Sequence, residues 1–193
     1  HTLDPVYAGY SLGQVTAFAK GGIIPDLASL RGFYQARAHA LDTTAGGNPS
    51  KLFAVMMTAR QEVEEWISQH PEWKLAIDAS PSMNILGGFE NEVDIVSLQE
   101  RFGSRKALPV NNISIAFHTD CAEPAAEMLR RQFGAQMDHW RINPDVAVMS
   151  NTSGERVVSP AEETLAHLHQ TVRFQAMIEN MLEYQGVERF VVF

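Results

Sequence analysis

Ser11 stands in Gly9-Tyr10-Ser11-Leu12-Gly13, a G-x-S-x-G spacing suited to nucleophilic chemistry at a carbonyl carbon. A short apolar run, Val6-Tyr7-Ala8, precedes it. A helix-compatible run from Gln14 to Ala19 follows and stops at Gly21-Gly22. Strand, sharp turn and helix is the layout that holds a serine out at a helix N-terminus. Glycine permits so tight a turn. The free N–H groups and the helix dipole there favour negative charge on a reacting carbonyl oxygen. A plain turn with an exposed serine fits the same letters. His118 ends the apolar run Ile113-Ser114-Ile115-Ala116-Phe117, at the junction of a strand and a helix start, a usual place for a working side chain. A histidine that merely packs or caps satisfies that pattern too. Arg37 occupies the missing place in an apolar stripe of Leu27, Leu30, Tyr34 and Leu41. A charge on a buried face is costly unless it is paired, snorkels to solvent or works on a ligand.

The elements that must position these residues come from a chain of 193 residues, enough for one domain or one domain with a subdomain. Hydrophobic content of 45% and charged content of 20% describe an ordinary soluble globular protein. No run of 18 apolar residues offers a membrane span, and no signal peptide is visible. A formal charge of −8 argues against general nucleic-acid binding, so an acidic partner requires a local basic patch. Arg130, Arg131 and Arg141 form one candidate, and a solvated helix face is the plainer reading of them. Cys121 is the lone cysteine, which excludes an internal disulfide and fits a reducing, cytoplasmic compartment. Histidines are scattered, with no metal-ligand spacing; His167 and His169 are two apart and do not share a helical face.

A second helix is expected from Leu27 to Leu41, started by Pro25 and Asp26 and ended by Thr43 to Pro49. Residues 50–114 read as a compact α+β unit. Strands are expected at 51–57, 73–77, 83–86 and 107–110. Helices are expected at 58–70, with a Thr58-x-x-Gln61 capping box, and at 90–102. That order, β-α-β-β-α-β, is the split, ferredoxin-like arrangement. Asp120 and Glu123 suggest a second capping box, with Pro124 in the first turn of a helix that Gly134 closes after Phe133. A strand at 146–149 leads into the turn Ser150 to Gly154. Helices follow at 160–168 and 172–185. The second buries Val172, Phe174, Met177, Ile178, Met181 and Leu182 and is capped by Gly186; a last strand runs from Val187 to Phe193.

Several of these pieces resemble one family. Gly9-Tyr10-Ser11-Leu12-Gly13-Gln14 is similar to the G-H-S-L-G-E elbow of malonyl-CoA:acyl carrier protein transacylases and of polyketide and fatty-acid synthase acyltransferase domains. Ile115-Ala116-Phe117-His118 resembles their A-F-H segment, and Glu123-Pro124-Ala125-Ala126 the helix start after it. Val146 to Gly154 resembles the strand ending in S-N-x-x-G, Leu168 to Phe174 the L-x-x-x-V-R-F segment, and Gly186 to Phe190 the start of the last strand. All lie in family order. Tyr10 and Gln14 stand where histidine and glutamate are common; tyrosine occurs in the transacylase subunits of malonate decarboxylases.

The resemblance implies an α/β hydrolase-like acyltransferase core, residues 1–49 and 115–193, with an inserted ferredoxin-like subdomain at 50–114. It also implies that an N-terminal part of the family domain, which carries a glutamine oxyanion donor, is absent. By the same resemblance Ser11 attacks the thioester of malonyl-CoA, and His118 is the general base. A backbone carbonyl near His167 orients that histidine, and the Leu12 N–H is an oxyanion donor. Arg37 holds the malonyl carboxylate, while Tyr10 and Phe117 shape the acyl site. No metal or bound cofactor is implied: coenzyme A enters as a substrate thioester. The expected partner is the phosphopantetheine thiol of an acyl carrier protein, within a multidomain synthase in some relatives. A serine esterase or thioesterase on the same elbow, or a non-catalytic fragment of a larger synthase, is the alternative.

Overall fold

A computed structural model describes residues 5–183, 186–188, 190 and 191. The serine elbow lies between β1 (Val6–Tyr7) and α1 (Gly13–Lys20). Helix α2 (Leu27–Gly47) begins at Asp26, whose carboxylate accepts from the Ser29 N–H at 2.7 Å. It runs six residues past its expected end at Leu41, through both Gly46 and Gly47.

The next six elements are β2 (Ser50–Met56), α3 (Arg60–Ile67), β3 (Lys74–Ser80), β4 (Met83–Phe89), α4 (Ile95–Phe102) and β5 (Ala107–Pro109). Their strands pair antiparallel in the order β5-β2-β4-β3, the expected ferredoxin-like arrangement. Alternation along β2 sorts its side chains between two layers. Phe53 and Val55 join Trp66, Trp73, Leu98 and Phe102 under the helices. Leu52 joins Ala76, Ile77 and Ile85 on the opposite face, against Ala116 and Cys121.

Two helix starts differ from expectation. Thr58 does not cap α3; its hydroxyl donates to the Met56 carbonyl, and Ala59 stands at the cap. Helix α4 starts five residues late, because Asp94 accepts from the Val96 and Ser97 N–H groups and fixes the first turn there.

Residues 113–118 were expected as a strand and form tight turns instead. After them a single 3-10 turn, Asp120–Ala122, leads into α5 (Glu123–Met137). Thr119, not Asp120, is its cap: the Thr119 oxygen accepts from the Cys121 N–H and donates to the Ala116 carbonyl. β6 (Ala147–Val148) runs parallel to β1, and α6 (Pro160–His169) follows the turn at 150–154. Val172 and Arg173 are not helical: they form β7, which adds to the edge of β3 in parallel and ties the C-terminal part to the subdomain sheet. α7 (Phe174–Glu183) buries Met177 and Met181, whereas Leu182 faces solvent. No strand is assigned at 187, 188, 190 or 191, and the rest of the expected last strand lies outside the described residues.

The main core packs α1, α2, α5 and α6 around Phe18, Phe33, Phe133 and Trp140, with Phe33 5.7 Å from the Trp140 ring and 6.0 Å from that of Phe133. Gly32 makes this possible: a Cβ there would stand 3.1 Å from the Phe133 ring. Among the described residues no helix is long and apolar enough to cross a membrane.

Candidate active site

The turn after β1 is too tight for any residue but glycine at its first position. A Cβ on Gly9 would lie 2.0 Å from the Gly13 carbonyl carbon and oxygen, whereas a Cβ on Gly13 meets nothing within 4 Å. Ser11 takes the left-handed conformation, with φ of 49°. That backbone is strained for a non-glycine residue and persists only where its surroundings fix it. They do so through Asn151. Its Oδ1 accepts from the Ser11 N–H at 2.9 Å, and its Nδ2 donates to the Gly9 carbonyl and to Gln14 Oε1. Gln14 in turn donates to the Met149 carbonyl at 2.8 Å. Gln14 and Asn151 are both fully buried. A glutamate at position 14 could not donate to Met149, so the amide suits this site. Asn151 belongs to the S-N-x-x-G segment, whose letters carry no sign of this side-chain role.

His118 also has positive φ, 66°, and is held at three points. Its Nε2 lies 2.7 Å from Ser11 Oγ. Its Nδ1 lies 2.6 Å from the His167 carbonyl oxygen, and its backbone N–H donates to the Leu168 carbonyl at 2.7 Å. Both carbonyls belong to the last turn of α6, where a helix leaves its C=O groups without partners. A carbonyl only accepts, so Nδ1 carries the proton and Nε2 is free to accept from Ser11. The negative end of the helix dipole faces the ring and favours imidazolium as it forms.

Burial opposes that charge and lowers the His118 pKa from 6.5 to about 4, with the Arg37 charge adding to the effect. His167, also fully buried, is lowered for the same first cause. The neutral form is therefore the one that folds. Between pH 6.5 and about 4 the unfolded chain binds the proton more tightly, so His118 removes stability as pH falls through that window. The full shift corresponds to about 3 kcal/mol. Denaturant unfolding at pH 7, 6 and 5 should show the midpoint falling, and His118→Gln should flatten the slope. An equal slope in both proteins would remove this explanation.

Arg37 lies on α2, and its Nε is buried with no hydrogen-bond partner. None of the ion pairs among the described residues includes it. Burial lowers its pKa, and its charge acts on both His118 and His167. The guanidinium is thus without an ion-pair partner among the described residues, and its positive charge is felt at His118, the partner of Ser11. His167 contributes its carbonyl, and its ring stands 4.9 Å from that of His118.

The Phe117 ring packs edge-on at 5.0 Å from His118, and Tyr10 packs edge-on against Phe174 at 4.9 Å. Burial raises the Tyr10 pKa. Leu12 stands at the N-terminal cap of α1, directly after the serine. A cleft of about 400 Å³ opens beside His118, lined in part by Lys74, Thr119, Thr152 and Arg173. The proposed basic patch is less free than its sequence suggests. Arg130 pairs with Glu162 at 2.5 Å, and Arg141 donates to the Asp138 and Trp140 carbonyls. Among the described residues no group of three or more His, Cys, Asp or Glu is placed to hold a metal ion.

No protein-family model matches the chain. It is 27% identical over 196 residues to the malonyl CoA-acyl carrier protein transacylase of Bacillus subtilis (strain 168), a match covering 95% of this chain and 59% of that protein. It is 26% identical over 191 residues to polyketide synthase GfsB of Streptomyces halstedii, covering 96% of this chain and 3% of the synthase. The crystal structure of malonyl-CoA:acyl carrier protein transacylase from Xanthomonas oryzae pv. oryzae superposes with a TM-score of 0.80 at 22% identity, covering 94% of this chain and 58% of that one. The chain therefore spans about three-fifths of the transacylases it matches. Its fold is that of the acyltransferases, and its sequence relatives and structural neighbours are malonyl-CoA:acyl carrier protein transacylases and polyketide synthases, as its motifs predict.

Proposed function

We propose that this chain carries the nucleophile and base of an acyltransferase that moves a malonyl group from coenzyme A to the phosphopantetheine thiol of an acyl carrier protein. The observation that carries the reading is Arg37: half-buried on α2, its Nε without a hydrogen-bond partner, in none of the ion pairs among the described residues, and with a charge that acts on His118. A serine and a histidine alone serve a hydrolase equally well. A partly desolvated guanidinium with no ion-pair partner among the described residues suits a carboxylate supplied by a ligand.

Ser11 Oγ attacks the thioester carbon while its proton passes to His118 Nε2. The Leu12 N–H stabilises the oxyanion at the positive end of α1. The C–S bond then breaks, the proton moves from Nε2 to the coenzyme A sulfur, and malonyl remains as an ester on Ser11. In the second half the carrier thiol gives its proton to Nε2 and attacks the ester, and the proton returns to Ser11 Oγ. Throughout, the His167 carbonyl holds Nδ1–H, taking the orienting role that a carboxylate fills in other triads. Phe117 and Tyr10 bound the acyl group, and Phe117 leaves little room for an α-branch. The chemistry asks for no bound cofactor, and the free, buried Cys121 suits a reducing cytoplasm. On this reading residues 1–49 and 115–193 are the core and 50–114 the inserted subdomain, a division the strand order β5-β2-β4-β3 supports. The similarity to a polyketide synthase supports a multidomain setting for some such chains.

Intact-protein mass after incubation with malonyl-CoA tests the proposal. The expected product is a malonyl adduct that Ser11→Ala abolishes. Release of coenzyme A without an adduct would favour the hydrolase, and neither adduct nor release would reject catalysis by this chain.

A further inference from the structure

Helix α6 holds both halves of the catalytic pair, from two positions one helical turn apart. His167 accepts from His118 Nδ1 at 2.6 Å. Four residues earlier, and so on the same face of the helix, is Glu163. Its carboxylate binds the turn at 150–154. Oε1 accepts from the N–H groups of Asn151 at 3.0 Å and Thr152 at 3.4 Å. Oε2 accepts from the hydroxyls of Ser150 at 2.8 Å and Thr152 at 2.9 Å. Asn151, fixed in this way, holds the strained Ser11 through its N–H and the elbow through Gly9 and Gln14. The far side of Asn151 is secured by the Arg173 N–H on its carbonyl at 2.7 Å.

We propose that Glu163 is a positioning residue that sets the Ser11–His118 distance, with Asn151 as its intermediary. The role rests on the acyl-serine reading above. A dyad needs its two members in register, and they come from chain segments 107 residues apart. One rigid helix that grips both, through a carboxylate at 163 and a carbonyl at 167, supplies that register. Without the Glu163 side chain, Asn151 keeps its contacts to the elbow and to Arg173 but loses its tie to α6. A shift of an ångström in the nucleophile costs about 10²-fold in rate.

The test compares wild type, Glu163→Ala, Glu163→Gln and Glu162→Ala in two reactions. The first is phosphonylation of Ser11 by a fluorophosphonate, which forms an Oγ–P bond and releases fluoride without any acyl donor. The second is acylation by malonyl-CoA, resolved into a limiting rate and a half-saturating concentration. Glu163→Ala should lower phosphonylation and the limiting acylation rate by about 10²-fold, with half-saturation unchanged. Glu163→Gln should recover most of the loss. Its Oε1 still accepts from Asn151, and the Thr152 hydroxyl can turn to accept from its amide, while the Ser150 oxygen goes on accepting from the Thr152 and Ser153 N–H groups. Glu162→Ala, which loses only an exposed partner of Arg130, should match wild type.

A Glu163→Ala chain that reacts as fast as wild type, loses only half-saturation, or is not recovered by glutamine would overturn the proposal. Thermal midpoints are read for each variant. If the alanine chain does not fold, Glu163→Asp decides, because its shorter arm must slow phosphonylation. Wild type that phosphonylates but takes no malonyl would reject the acyl donor and leave the positioning role standing or falling on phosphonylation. Wild type inert to both would reject the positioning role as well.

Discussion

His118→Ala should acylate from malonyl-CoA about 10³-fold more slowly than wild type, at any donor concentration. The reason is local. Nε2 lies 2.7 Å from Ser11 Oγ and is the only side-chain partner of that oxygen among the described residues. Removing it leaves a neutral hydroxyl to attack a thioester with no acceptor for its proton. The same change opens a void at a fully buried position, so stability must be read separately. His118→Asn serves that purpose: its amide can still donate to the His167 carbonyl, but it offers no base to Ser11. Both variants should be slow, and the asparagine form should melt closer to wild type. Stopped-flow or quenched-flow mass analysis of the first turnover measures the step directly. Retention of more than a tenth of the wild-type rate by a folded variant would mean that another group takes the proton.

Arg37→Ala should separate donors rather than slow all of them. Loss of one partner from a desolvated charge pair costs about 3 kcal/mol, which is about 10²-fold in the specificity constant. That loss should appear with malonyl-CoA and be absent with acetyl-CoA, which has no carboxylate. Among the described residues Arg37 takes part in no ion pair, so its removal orphans no carboxylate there. Relief of its buried charge should also let the His118 pKa rise, because that charge lowers it. Arg37→Lys should recover only part of the malonyl rate, since an ammonium cannot form the two parallel bonds of a guanidinium. Competition between the two donors in one tube is the cleanest measurement. An equal loss for both would make Arg37 structural, and no loss for either would place the carboxylate elsewhere.

Much of this architecture was readable because it is written in short-range pattern. The G-x-S-x-G spacing forces a sharp turn, and the packing of Gly9 against Gly13 shows why at least its first glycine is required. The runs at 51–57, 73–77, 83–86 and 107–110, with helical patterns between them, mark the four antiparallel strands within one contiguous stretch. Arg37 was visible as a charge within the stripe Leu27, Leu30, Tyr34 and Leu41, but the face α2 buries is Phe33, Ala40 and Thr44, and Leu27 is exposed. Exact helix starts were less readable. Thr119 takes the cap that Asp120 was expected to fill, and Asp94 starts α4 five residues after its expected beginning, by local geometry that propensity does not encode.

By itself, then, the sequence determined the sharp turn at Ser11, the antiparallel sheet of β2 to β5 and the set of candidate groups. Only the tertiary structure decided how those groups meet. The contacts that make the site join residues 140, 107 and 49 positions apart: Asn151 to Ser11, Ser11 to His118, and His118 to the His167 carbonyl. No periodicity links such positions. A backbone carbonyl carries no side-chain signature, and the left-handed conformations of Ser11 and His118 are unfavourable for their residue types. They exist because α6, the turn at 150–154 and the elbow pack together. The same packing turned residues 172–173 from an expected helix into a fifth strand, since the open edge of β3 offered hydrogen bonds that local preference could not foresee.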